Sequence, residues 1–252
     1  MPRAFATLAV LVLIVVAAPA SAQPPLVVSV AASLSDVMSE LAQRHERATG
    51  QSVRLNVAGS NFIARQIVAG ARADAFVSAD EVQMDVVERA GRLVPGTRVD
   101  LLTNQLVVVG RPGSPLKSGD PATLASRPVR RVALGNPESV PAGVYARRWL
   151  EATGVWPSVA PKVVPTMTVR AALAATRAGR VDAAVVYATD ARSAPSVPVL
   201  FRVPPGAAPP IIYPAAVVRG ANQAAAERFV AYLRSPEAGT VFQAAGFGLA
   251  AR

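Results

Sequence analysis

The strongest constraint on the fold of this chain is a strand-to-helix step that recurs along its amino-terminal part. The β-type runs VVSVAAS (Val27 to Ser33), VRLNVAG (Val53 to Gly59) and DAFVSA (Asp74 to Ala79) each lead into a segment of helical periodicity. After the first, Leu34, Val37, Met38 and Leu41 fall at i, i+3, i+4 and i+7, and Gly50 supplies a stop. Ile63 and Ile67 mark one face after the second, which ends near Gly70; Val82, Val86 and Val87 do so after the third. Strands alternating with helices imply a parallel sheet covered on both faces, with ligands at the carboxyl ends of the strands. The first two steps share one more detail: Ser33 and Ser60 each stand where a helix opens. Such a terminus carries unpaired N–H groups and partial positive charge, and a serine adds a hydroxyl donor. Two of them in one sheet can grip a single anion.

The second half repeats the alternation. A long β run, LLTNQLVVVG (Leu101 to Gly110), is followed by a stretch rich in proline and glycine from Arg111 to Pro121. Then come RRVALG, a helix from Pro141 to about Thr153, a strand near Lys162 to Val164, a helix from Val169 to Ala178, and the strand DAAVVY. Proline is again frequent from Ser193 to Pro210, before the strand IIYPAAVV and a helix from about Gln223 to Leu233. The pattern predicts an α/β protein of two lobes, each a mainly parallel sheet flanked by helices, joined by a hinge of two crossover segments. Residues 23–104 with 195–252 form the expected lobe I, and residues 105–194 the expected lobe II.

Met1 to Ala22 reads as a secretory signal, with Arg3, the apolar run Leu8 to Ala18, and Ala20-Ser21-Ala22 as cleavage site. That run is too short to span a bilayer. The sequence has no cysteine, so neither a disulfide nor a lipid-modified cysteine is expected, and free diffusion in a periplasm fits. The net charge is +10, but the arginines are scattered with few aromatics between them, which reads as a solvated surface rather than a nucleic-acid footprint.

Enzymatic chemistry finds little support. The only histidine, His45, lies among charged residues in a helical stretch and is expected at the surface. One histidine without cysteine argues against zinc and against a nucleophile–base pair. Asp36, Asp80 and Asp190 are not paired in sequence, and helix capping accounts for the first two. A hydrolase is therefore the weaker class. The effector half of a transcription regulator would need a DNA-binding helix pair where the signal stands.

The candidate donors each have an ordinary reading as well. Ser33-Leu-Ser-Asp36 has capping-box spacing, as does Ser78-Ala-Asp-Glu81, to which no ligand role is given. What distinguishes Ser33 and Ser60 is matched placement after adjacent strands, with Ala31, Ala32, Ala58 and Gly59 leaving room for close backbone approach. Pro141 suits a helix start and leaves the Ala142 amide unpaired, and Thr168 opens a helix that frees the Val169 amide. Arg170 beside it can offer positive charge or simply face solvent. Tyr187 ends an apolar strand, where its hydroxyl can meet a ligand or make a routine buried hydrogen bond.

At these residues the chain resembles the periplasmic molybdate-binding proteins of ABC importers. The matching segments are AASLSDVM, AGSNFIARQIVAGARADAFVSADE, LLTNQLVVV, GNPESVPAGVYARRWLEATGVW, VRAALAATRAGRVDAAVVYATDA and YPAAVV, in one order from about Val27 to Phe247. The resemblance implies a type II periplasmic binding protein that holds a tetrahedral oxyanion between its lobes by neutral donors. Hydroxyl and amide donation is then implied from Ser33 and Ser60, amide donation from Ala142 and Val169, and a hydroxyl from Tyr187. It further implies no cofactor, molybdenum only as molybdate (or tungstate as its analogue), a monomer, and an inner-membrane ABC permease as partner. Sulfate or phosphate is the alternative ligand. The chain departs from the family pattern at Gly59, Asn61 and Phe62 around the second turn, and at Asn136 where an aspartate is usual.

Overall fold

The computed structural model describes residues 24–116, 119–220 and 222–251; the expected signal, Met1 to Ala22, lies outside them. The chain opens with β1 (Leu26–Ala31), α1 (Ser35–Thr49), β2 (Val53–Ala58), α2 (Ser60–Val68), β3 (Ala75–Val77), α3 (Glu81–Arg89) and β4 (Val99–Asn104). It continues through β5 (Leu106–Gly110), α4 (Ala122–Ala125), β6 (Val132–Gly135), α5 (Pro141–Ala152), α6 (Trp156–Val159) and β7 (Val163–Thr166). After these come α7 (Val169–Arg177), β8 (Ala183–Tyr187), α8 (Ala188–Arg192) and β9 (Val199–Arg202). It closes with β10 (Ile211–Val217), α9 (Gln223–Leu233), α10 (Pro236–Ala244) and β11 (Gly248–Leu249).

Two sheets result, ordered β11-β4-β10-β3-β1-β2 and β7-β6-β8-β5-β9. The run expected as one long strand is divided at Gln105: β4 belongs to the first sheet and β5 to the second. The chain re-enters the first sheet only with β10, because β9 pairs with β5 in the second. Both sheets are mixed rather than mainly parallel. The βαβ steps pair in parallel, β1 with β2 and β3, and β6 with β7 and β8. The strands beside the crossings, β4, β5 and β10, pair antiparallel to their neighbours. A chain that leaves one sheet and returns to it has no helical crossover at those points to reverse it, so antiparallel pairing follows.

The predicted apolar stripe of α1 is buried as expected, with Leu34, Met38 and Leu41 fully covered. Gly50 ends that helix in the left-handed region at φ 72°, where a side chain would be strained. His45 departs from its expected surface position. It continues the stripe of Met38 and Leu41 and is only 5% exposed, with ring centroids 5.0 Å from Phe229 and 5.2 Å from Tyr232. Charged neighbours hid this, because the face is covered by α9, a helix remote in sequence. Burial lowers the His45 pKa, with Arg228 adding to the shift, which favours the neutral ring in its aromatic setting. Among the described residues no helix is long and apolar enough to cross a membrane.

Candidate functional site

The two jaws of the cleft are built by the same device. In the first sheet β1 and β2 run in register, with Ala31 opposite Ala58, so the chain leaves both strands at one edge. It turns there into Ala32–Leu34, a short 3-10 segment, and into α2. In the second sheet Gly135 pairs with Thr166, and the chain leaves β6 and β7 side by side toward α5 and α7. Tyr187 ends β8 between the two halves, opposite Leu106 at the crossing.

These ends converge on one cavity of about 20 Å³, lined by Ala31, Ala32, Ser33, Gly59, Ser60, Ala79, Val140, Pro141, Ala142, Thr168, Val169 and Tyr187. All five sequence-predicted residues are in that lining. None of the lining residues is charged. The space is small, since a single water needs roughly 10–15 Å³.

Neither serine acts as a helix cap. No side-chain cap bond forms at Ala32–Leu34, α1 or α2, so the capping-box reading of Ser33 does not hold. Ser33, 3% exposed, places its Oγ 3.2 Å from the Tyr213 hydroxyl. Ser60, 1% exposed, accepts a hydrogen bond from the Ala79 N–H at 2.9 Å, which leaves its own proton to donate. In the opposite jaw Pro141 is the first residue of α5 and Ala142 follows it, buried. Thr168 caps α7 by accepting from the Ala171 N–H, so the first-turn Val169 amide is one that needs an outside partner. The α5 terminus can sit this close to β6 because Gly143 and Gly135 face each other: a Cβ on Gly143 would overlap the Gly135 carbonyl.

Tyr187 is fully buried, yet its hydroxyl has no hydrogen-bond partner among the described residues. Burial, with smaller effects from Tyr213, Tyr145 and nearby carboxylates, holds its pKa well above the usual phenol value. It is a neutral donor aimed into the cavity.

Charges stand behind the lining rather than in it. Arg170, on α7, forms ion pairs with Asp190 at 2.6 Å and with Asp36, across the cleft, at 2.9 Å. Asp36 is thus an ion-pair partner and not a cap, while Asp80 does cap α3 by accepting from the Gln83 N–H. Burial pushes both Asp80 and Asp190 up to about 6, with Arg170 opposing that shift at Asp190. Ser78 is buried and bonds Asp80, away from the cavity lining. Among the described residues no cluster of histidine, cysteine and acidic residues could hold a metal ion.

The departures around the second turn are spatially linked. A Cβ on Gly59 would lie 2.8 Å from the Asn61 Oδ1 and 3.0 Å from the Met167 carbonyl of the opposite jaw. The absent side chain at Gly59 is therefore what lets Asn61 fold back and the jaws meet. Phe62 is 42% exposed under Arg65 and does not line the cavity. Asn136 makes a local turn, its Oδ1 accepting from the Glu138 N–H at 2.9 Å.

Sequence reasoning missed Tyr213 and Ala79, which contact Ser33 and Ser60, and Asn104, which bonds Tyr213. Alternation in IIYPAAV would bury Tyr213 with Ile211, and a buried tyrosine seeks a partner, but that partner is 180 residues away in sequence.

The family model for bacterial extracellular solute-binding proteins matches residues 26–248. The chain is 38% identical to the molybdate-binding protein ModA of Escherichia coli (strain K12), over 86% of each chain. The chain belongs to the molybdate-binding branch of the bacterial solute-binding proteins. It is also 33% identical to a putative ABC transporter substrate-binding lipoprotein of Bacillus subtilis (strain 168), over 88% of this chain and 85% of that one. The solved periplasmic molybdate-binding protein of Azotobacter vinelandii superposes with a TM-score of 0.82 at 25% identity, covering 90% of this chain and 100% of that one. The family is one of solute-binding proteins with a two-lobed α/β fold, not of enzymes, which agrees with the expected fold class and with the weak case for a hydrolase.

Proposed function

We propose that the protein captures a tetrahedral oxyanion, molybdate or tungstate, between its lobes and delivers it to an ABC importer. Ser33, Ser60 and Tyr187 donate hydroxyl protons, and Ala142 and Val169 donate amides, with the serine amides completing the first jaw. The observation that carries this reading is the uncharged, donor-lined cavity where four chain turns and one buried hydroxyl meet. A buried dianion loses much hydration and needs several aimed donors in its place. Helix N-termini supply them without a rigid cation. Ligand bridging both jaws favours the closed arrangement, and the transporter then meets that closed surface.

The protein works as a periplasmic monomer, exported through Met1 to Ala22 and without a lipid anchor, since it has no cysteine to carry one. The expected division, residues 23–104 with 195–252 and residues 105–194, moves at one boundary, because β9 pairs with β5 in the second sheet and so belongs with lobe II. The test is titration calorimetry of residues 23–252 against molybdate, tungstate, sulfate and phosphate. Tight binding of the first two, with sulfate and phosphate much weaker, is expected. Binding of none of them sinks the proposal, and preference for sulfate or phosphate replaces it with the alternative ligand.

A further inference from the structure

The two serines are held differently, and the difference assigns work to residues outside the cavity lining. Ser60 receives its hydrogen bond from a backbone amide, Ala79, which no substitution other than proline removes. Ser33 receives its contact from a side chain, Tyr213, that lies on β10 and is completely buried. Tyr213 in turn is bonded by Asn104, the last residue of β4, whose Nδ2 lies 3.2 Å from the phenol oxygen. The same Nδ2 donates to the Thr189 hydroxyl at 2.9 Å.

The direction of this chain of bonds follows from counting protons. Asn104 Oδ1 accepts the Gln105 N–H at 2.9 Å, which fixes the amide so that Nδ2 faces Tyr213 and Thr189. Nδ2 has only protons to give, so the Tyr213 oxygen accepts. Tyr213 must place its own proton on a neighbour, and Ser33 Oγ is the partner within reach. Ser33 Oγ is then an acceptor toward Tyr213, and its proton is turned away from the phenol toward the cavity. Burial holds the Tyr213 pKa far above its usual value, so the phenol keeps its proton at every working pH.

We propose that Asn104 and Tyr213 are positioning residues that lock Ser33 as a donor to the bound oxyanion. The inference rests on Ser33 being part of the oxyanion site. Its added content is that the donor is fixed before ligand arrives, so no hydroxyl must reorient on binding. Asn104 also stands at the β4–β5 crossing and touches Thr189 on α8, so the relay is anchored where the chain passes between sheets.

Three substitutions, Tyr213→Phe, Ser33→Ala and Asn104→Asp, test it by molybdate calorimetry, with wild type as control. Tyr213→Phe weakens binding roughly three- to tenfold in the wild-type background, the scale of one neutral hydrogen bond. In a Ser33→Ala background the same substitution has no further effect, since the group it orients is gone. Asn104→Asp replaces the donor by an acceptor when ionised. Tyr213 then turns its proton to the carboxylate, Ser33 loses its enforced orientation, and affinity relative to wild type falls. That loss recovers as the pH is lowered through the titration of the new carboxyl group, because the protonated acid again donates; in the Ser33→Ala background the relay predicts no such pH-dependent loss, whereas charge repulsion of the oxyanion alone gives the same loss in both backgrounds and overturns the relay. Equal losses from Tyr213→Phe in both backgrounds, or a pH-independent deficit in Asn104→Asp, overturn the relay. Failure of wild type to bind molybdate overturns the ligand assignment instead.

Discussion

Replacing Tyr187 with phenylalanine separates a ligand-binding hydroxyl from a structural one, because the two roles predict opposite signs. In the ligand-free protein the Tyr187 hydroxyl has no bonding partner to lose among the described residues. Removing a buried, unpaired hydroxyl leaves stability unchanged or raises it by up to about 1–3 kcal/mol, and the phenyl ring keeps its packing against Tyr213 at 5.7 Å. The oxyanion, by contrast, loses a hydrogen bond to a charged group, about 1.5–3 kcal/mol, or roughly 10- to 150-fold in Kd. Thermal shift reads both effects. At a ligand concentration of about 100 times the wild-type Kd, binding adds about 2.7 kcal/mol, roughly 5–11 °C for a chain of this size. With a Kd weakened about 30-fold, the same concentration adds only about 0.9 kcal/mol, roughly 2–4 °C. The expected result is therefore a ligand-free Tm that is equal or higher and a molybdate shift cut to about a third. A ligand-free Tm lowered by several degrees, or an undiminished shift, would refute the argument.

Four further outcomes follow from the same geometry. Ser60→Ala weakens oxyanion binding by about 1–3 kcal/mol in calorimetry, since it removes a donor and leaves the Ala79 amide unpaired; unchanged affinity removes Ser60 from the site. Gly143→Ala forces a methyl into the Gly135 carbonyl, so chemical denaturation should show a loss of several kcal/mol together with lost binding from the displaced α5 terminus. Arg170→Met strands the buried Asp190 without its cation and costs about 3–5 kcal/mol when the carboxylate is ionised; the deficit is larger at pH 8 than at pH 5, where Asp190 takes up a proton. Asp80 has its pKa raised to about 6, so its contribution to stability is complete below the unfolded value near 3.8 and is lost as pH rises through 6. Asp80→Asn keeps an acceptor for the Gln83 amide and flattens that slope, raising stability by about 2–3 kcal/mol at pH 8; an unchanged slope in urea titrations across pH 5–8 counts against it.

Local pattern reached far in this chain because its elements are short and periodic. The α1 stripe, the proline start of α5, the Thr168 cap and the Tyr187 strand end are each decided within a few residues, where steric and capping rules operate. His45 shows where such reasoning stops: its charged neighbours are real, but α9 packs over that face. The strand β9 was hidden in a proline-rich stretch because four residues of edge strand carry almost no periodic signal.

By itself the sequence determined which turns carry unpaired donors, since backbone dihedrals and helix termini are local properties. Several family-like segments in order further implied a set of five residues, and all five line one cavity. Tertiary structure alone decided how those donors point. The register of β1 on β2 and of β6 on β7 brings the turns to one cavity, and the long crossing contacts of Asn104, Tyr213 and Arg170 set charges and protons behind them. Those contacts join residues up to 180 positions apart, and hydrogen-bond direction depends on three-dimensional partners that no local window contains.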